Sequence, residues 1–288
     1  LRAPASRRCC GRVCCGASSD DAQTRATYCD VFRPRTRKRA LIAMGVMVGQ
    51  QFSGINPILV YGGLIFQGVT GDGALALCLL YGVNAVVTLP ALLLVDRVGR
   101  RFLLLLGSCG MFVGLVASGS LFAFGCVSTL DADGGEAVEC NDTIAALMVA
   151  STCLFVAMFG VSWGPVSWIY PAEIFPLATR SKAVSLSTMT NWTAGIVTMG
   201  VQLLFPLLTV PGTFFLFAAL CAAGGAFTFF FCPETKGVPL EQIESVFTSF
   251  RPCAKQGGAI GDAPCSRRGA PPPLSEQLCD DDDGADAE

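Results

Sequence analysis

Apolar residues fill most of the chain in long blocks, interrupted by polar positions at only a few places. Six stretches, roughly 40–67, 74–95, 102–127, 143–171, 183–206 and 212–232, reach the length of about 20 predominantly apolar residues that a bilayer crossing requires. The connectors between them are GVTGDG, DRVGRR, VSTLDADGGEAVECND, PAEIFPLATRSK and LLTVPG. The pattern predicts an all-α membrane protein with six transmembrane helices in the lipid bilayer.

Charge gives these spans a direction. The 288-residue chain is 52% hydrophobic and 15% charged, where a soluble domain is about a quarter charged. Of the 20 basic residues, ten precede the first span, three lie in DRVGRR, two are Arg180 and Lys182, and five follow the last span. The other three connectors hold none, which is the positive-inside pattern. Both termini are therefore expected in the cytosol, and the third connector, with five acidic residues, on the outer or lumenal face. Three domains follow. Residues 1–39 form a Cys/Arg-rich cytosolic segment, partly disordered, with a short helix before the first span. Residues 40–232 form the bundle, and 233–288 a cytosolic tail, disordered after about 252, within which GVPLEQIESVF suits a short amphipathic helix. The first residue is Leu and no signal peptide precedes the first span, so the chain is expected to be a fragment.

Several function classes fall away. The basic residues hug the ends of apolar runs and form no patch with interleaved aromatics, so no nucleic-acid partner is expected. The chain has no histidine, and neither a nucleophile–base pair nor a phosphate loop stands out. An enzyme, a metal site and a cofactor are accordingly not expected. The cluster from Cys9 to Cys15 lies on the cytosolic side, where thiols stay reduced. Cys126 and Cys140 form the pair near the opposite face, a candidate disulfide. Asn141-Asp142-Thr143 in that outer connector is a candidate glycosylation sequon.

No Asp, Glu, Lys or Arg lies in the interior of a span, so no buried carboxylate relay is available there. Amides and indoles take their place: Gln50, Gln51 and Asn56 in the first span, Asn84 in the second, Trp163 and Trp168 in the fourth, Asn191 and Trp192 in the fifth. Each alone reads as interhelical glue worth about 0.6 kcal/mol. As a group they read differently. GQQFSGINPILVYGG carries a proline and glycines that break its helix near Asn56, and WGPVSW repeats the device at Gly164 and Pro165. Broken helices at mid-membrane mark substrate sites in transporters. Neutral amides that both donate and accept suit a polyol, and an indole covers its C–H faces. A few such contacts give about millimolar binding, roughly −4 kcal/mol.

At these residues the chain resembles the C-terminal half of the sugar porter family of the major facilitator superfamily, from about Val31 to Phe247. The motifs that carry the likeness, in order, are RPRTRKR, GQQFSGIN followed by Tyr61, DRVGRR, WGPVSWIYPAEIFPLATRSKA and PETKG. The resemblance implies that Gln50, Gln51, Asn56, Asn84 and Trp168 contact a hexose, with Asn191, Trp192 and Gly164 beside them, and that Tyr61 gates the sugar from outside. It further implies a cytosolic charge network of Asp96, Arg97, Arg100, Arg101, Glu173, Arg180 and Glu234 that latches the two halves of a carrier. Snorkelling and positive-inside anchoring are the alternative reading of those charges. Two departures stand out: Val60 replaces the first of two tyrosines common in the family, and no glutamate lies near Gly160 as it does in animal facilitative members. The latter is closer to proton-coupled members, which makes symport a candidate mode.

The expected function is therefore alternating-access transport of a monosaccharide, a hexose such as glucose or a pentose, in the plasma membrane or an organelle membrane. The alternatives are a non-transporting sugar sensor and a degenerate half-transporter acting as a partner. The bundle would pair with an N-terminal six-helix half or with a second copy of itself.

Overall fold

The computed structural model describes residues 27–34, 36–70, 72–130, 136–200, 205–239 and 242–250. The Cys9–Cys15 cluster and the tail after residue 250 lie outside the described residues. In chain order the elements are α1 (Tyr28–Val31), α2 (Arg37–Phe52), α3 (Ile55–Thr70), α4 (Gly73–Val98), α5 (Arg100–Gly125), β1 (Cys126–Leu130), β2 (Glu136–Cys140), α6 (Asp142–Val161), α7 (Trp163–Glu173), α8 (Leu177–Met199), α9 (Phe205–Phe231) and α10 (Ile243–Ser249).

Two prolines set where the long apolar stretches break. A proline has no N–H to give the carbonyl four residues back, and its ring crowds that carbonyl. Four residues before Pro57 is Ser53, and α2 ends at Phe52. Four residues before Pro165 is Val161, the last residue of α6. The breaks therefore fall at Ser53–Gly54 and at Ser162, each upstream of the expected positions near Asn56 and at Gly164–Pro165. Each proline instead sits in the first turn of the next helix, where a missing N–H costs nothing. The carbonyl that Pro57 leaves free accepts the Cys221 thiol at 3.6 Å. Gly54 completes the first break at φ 84°, and a Cβ there would stand 2.4 Å from the Phe217 ring. Only glycine meets both conditions.

Among the described residues, four helical segments are long and apolar enough to cross a membrane: Gly73–Val98, Arg100–Gly125, Asp142–Glu173 and Thr209–Phe231. The first expected span misses this measure because its break divides it into two helices of 16 residues. The fifth, α8, carries Ser185, Ser187, Thr188, Thr190, Asn191 and Thr193 within one stretch, which lowers its hydropathy. The helix α9 is irregular at Thr209, with φ 61°, inside the expected LLTVPG connector.

The bundle closes by α5 packing against α6 and α9, α2 against α8, and α4 against α3 and α6. On α5, a Cβ at Gly114 would come within 2.9 Å of the Phe155 nitrogen and the Ser151 carbonyl, so the glycine lets two backbones meet as small residues do in membrane bundles. Trp163, Tyr170, Phe66, Phe155, Phe175 and Phe217 are the bulkiest side chains fully buried in the core. By contrast α4 exposes Leu75, Leu79, Val86, Leu89, Leu92 and Leu93.

In the described residues of the third connector, β1 and β2 pair antiparallel with Cys126 opposite Cys140, and the two are disulfide-bonded. The helix before it ends at Gly125, two residues short of the expected span end, because Cys126 is already extended. After the last long helix, α10 overlaps the second half of the stretch expected to form a surface helix and runs two residues past it.

Candidate functional site

The break between α2 and α3 brings three amides of one stretch toward a fourth on α8. Gln51 Nε2 donates to Asn191 Oδ1 at 2.8 Å, and Asn56 Nδ2 donates to Gln51 Oε1 at 2.6 Å. Asn191 Nδ2 donates to Gln50 Oε1 at 2.5 Å and to the Met47 carbonyl at 3.2 Å. On a continuous helix Gln51 and Asn56 would point well apart, because five residues turn the chain through about 500°. The break corrects that angle. Asn191 and Gln51 are 1% and 5% exposed, Gln50 is buried, and Asn56 is half-buried at the edge of the group. Gly195, one turn after Asn191, leaves space for the Gln51 amide, which lies 3.4 Å from where a Cβ would stand.

The other residues expected at this site lie apart from that hydrogen-bonded group. Asn84 on α4 is half-buried beside Gly160 of α6, where a Cβ would stand 3.0 Å from Asn84 Oδ1. Trp168 on α7 is 42% exposed and Trp192 on α8 is 65% exposed. One residue along a helix is a rotation of about 100°, so a buried Asn191 carries its neighbour Trp192 to the outer face. Gly164 lies in the first turn of α7 against the Phe159 carbonyl, 3.2 Å from a would-be Cβ. Tyr61 belongs to α3, and its side chain lies outside the described residues.

A second polar group joins the ends of α4, α5, α7 and α9. Arg100 Nη2 meets Asp96 Oδ1 at 2.8 Å and Glu173 Oε1 at 2.7 Å, and Arg100 Nε reaches Glu173 Oε1 at 3.1 Å. Glu234 accepts the backbone N–H groups of Arg100 at 2.9 Å and Arg101 at 3.1 Å. These are orphan donors of the first turn of α5, whose N-cap Gly99 has no side chain to offer. A carboxylate at the positive end of a helix also gains from its dipole. Gly99, at φ 108°, keeps the space open, since its Cβ would stand 2.7 Å from Glu234 Oε2. Two expected members stand aside: Arg180 donates to the Phe175 carbonyl at 3.4 Å, and Arg97 contributes its carbonyl, which accepts Lys236 Nζ.

Several participants are not among the site residues that the sequence predicts. Thr235 Oγ1 donates to Glu173 Oε2 at 2.9 Å, and the Thr235 and Lys236 N–H groups both reach Glu234 Oε1 at 3.1 Å. Their place in PETKG beside Glu234 was the available signal. Trp163 is a strut rather than a surface: it is 1% exposed, and its Nε1 donates to Ser108 Oγ at 2.9 Å and the Leu104 carbonyl at 3.1 Å. Buried Arg39 donates to the Ile174 carbonyl at 3.2 Å, tying the start of α2 to the end of α7.

Comparison with known proteins is consistent across sequence and structure. A protein-family model described as "Sugar (and other) transporter" matches residues 16–247. The facilitated glucose transporter member 8 of solute carrier family 2 from Mus musculus is 36% identical over 226 residues, covering 75% of this chain and 47% of that protein. The facilitated trehalose transporter Tret1 of Bombyx mori is 36% identical over 225 residues, covering 76% of this chain and 42% of its own length. The chain thus spans less than half the length of these relatives. Among solved structures, the proton:xylose symporter XylE bound to 6-bromo-6-deoxy-D-glucose superposes with a TM-score of 0.60 at 25% identity, over 72% of this chain and 42% of that one.

Proposed function

The chain belongs to the sugar (and other) transporter family and is an integral membrane protein, and on that premise we propose that it is the C-terminal six-helix half of a monosaccharide carrier working by alternating access. The observation that carries this reading is the amide group at the α2–α3 break, where Gln51 links Asn56 to Asn191. Neutral groups that donate and accept meet the demands of a sugar hydroxyl, and helices broken within a span mark substrate sites in transporters. Asn84 and the exposed face of Trp168 complete the site, with Tyr61 as its gate. The names of the relatives, glucose and trehalose transporters and a xylose symporter, support a sugar as cargo.

Two ends of one helix support the orientation of this reading. At its C-terminal end α5 runs into Cys126, whose disulfide belongs to an oxidising compartment. At its N-terminal end are Arg100 and Arg101 with their carboxylate partners. The hairpin and Asn141, which caps α6 and remains exposed, face the outside, and the charge group and both termini face the cytosol. In this reading Asp96, Arg97, Arg100, Arg101, Glu173, Arg180 and Glu234 form the surface that meets the N-terminal half when the carrier opens outward, in the plasma membrane.

Uptake of labelled glucose and xylose by the full-length gene product tests the proposal. Gln51→Ala, which leaves Asn56 without the partner that orients it, and Trp168→Ala, which removes an apolar face, should each lower uptake by about tenfold at limiting sugar, the equivalent of one or two lost contacts. Unchanged uptake in both variants contradicts it.

A further inference from the structure

The four amides are not equivalent. Asn191 is 1% exposed, and three of the four hydrogen-bonding positions of its amide are already taken inside the protein: two donors by Gln50 Oε1 and the Met47 carbonyl, one acceptor by Gln51 Nε2. A side chain so enclosed has nothing to turn toward a ligand. What it has is direction. The Met47 carbonyl can only accept, so the nitrogen of Asn191 must face it, and its oxygen must face the other way. Gln50 must then present its oxygen to that nitrogen, and Gln51 must present its nitrogen to the Asn191 oxygen. The oxygen of Gln51 is left for Asn56, which must offer its nitrogen. One main-chain carbonyl thereby sets the facing of four amides. Of the polar atoms of these four amides, the two with no partner among the described residues are Gln50 Nε2, a donor, and Asn56 Oδ1, an acceptor.

We propose that Asn191 is a positioning residue, not a sugar ligand, and that through this relay it makes Gln50 offer a donor and Asn56 an acceptor to the cargo. The ligand it fits presents one hydroxyl oxygen that accepts and a second hydroxyl that donates. For its ligand the inference rests on the sugar-site reading above; for its geometry it does not.

The test is binding to the purified full-length carrier of glucose and of its monodeoxy and monodeoxyfluoro derivatives. Fluorine accepts weakly and cannot donate. At the hydroxyl facing Gln50, the fluoro sugar should keep part of the affinity that the deoxy sugar loses; at the hydroxyl facing Asn56, both should lose equally. In Asn191→Asp the carboxylate still accepts from Gln51 but no longer donates to Gln50, which turns its nitrogen inward and its oxygen to the cavity. The fluoro sugar tolerated by the wild type should weaken by about 3- to 10-fold relative to glucose, the worth of one hydrogen bond. Gln50→Glu should reproduce that same shift, although residue 191 touches no sugar. A purely structural role for Asn191 would weaken every analogue by a common factor, and that result overturns the proposal. If the wild type binds no sugar at all, the sugar-site reading fails and the relay is judged without cargo. Asn191→Leu, which strands three partners, should then lower the melting temperature by several degrees more than Gln50→Met, which strands one; equal drops overturn it.

Discussion

The molecule carries two polar groups that each tie distant segments together, and they do so by opposite chemistry. The amide group is neutral and enclosed, and it is built from residues within spans. The group around Arg100 and Glu234 is ionic, borders water, and is built from helix ends. Interhelical bonds between neutral side chains average about 0.6 kcal/mol in membranes, because the separated helices find other partners. An ion pair with extra hydrogen bonds is costlier to break, since removing one member strands the other. The contrast suits the proposed roles: a site that must take up and release a cargo is made of weak exchangeable bonds, and a contact that holds one state of a carrier is made of strong ones.

That contrast can be broken at several points. The largest loss is expected from Arg100→Ala, which abandons Glu173 in a half-buried place. Thermal melting in detergent should show a destabilisation of about 2–3 kcal/mol, below the 3–5 of a fully buried pair because Asp96 is open to water. Glu234→Ala should cost about 1–2 kcal/mol, the worth of a helix cap, while Glu234→Gln should recover part of that by keeping an acceptor but not the charge. A full recovery by glutamine would mean that the charge adds nothing at the α5 N-terminus. Gln51→Leu should cost only about 1 kcal/mol of stability, yet weaken sugar binding more than either charge variant does. The smallest effect belongs to Trp192→Ala, whose ring is on the outer face of α8; sugar affinity should change by less than about twofold. Salt sharpens the comparison further. Raising it from about 0.1 M to about 1 M should reduce the stability gap between wild type and Glu234→Gln and leave that of Gln51→Leu unchanged, because screening acts on charges near water.

How much of this is legible in the chain depends on the range of the interaction. Apolar block lengths reveal the helices, since burial in lipid depends on local composition. The two breaks are legible to within a turn, and the offset has a simple cause: proline frees the carbonyl four residues upstream, so Pro57 and Pro165 act at Ser53 and Val161 and the helices break there, not beside the prolines. The facing of Trp192 follows from helical rotation once Asn191 is placed inward, but which of the two turns inward is decided by contact with Gln50 and Gln51 on another helix. The cap of α5 is the least legible feature. Its carboxylate comes from Glu234, 134 residues after Arg100, and no local rule for helix ends looks that far. The pairing of β1 with β2 is likewise set by contact between two segments, which the acidic composition of the connector does not reveal.

The most direct test of the central claim is an electron cryo-microscopy map of the full-length carrier with glucose bound. The account places sugar density within hydrogen-bonding distance of Gln50 Nε2 and Asn56 Oδ1, with Asn191 still bonded to Gln50, Gln51 and the Met47 carbonyl. Sugar density elsewhere in the bundle, or Asn191 turned from these partners onto the sugar, would contradict it.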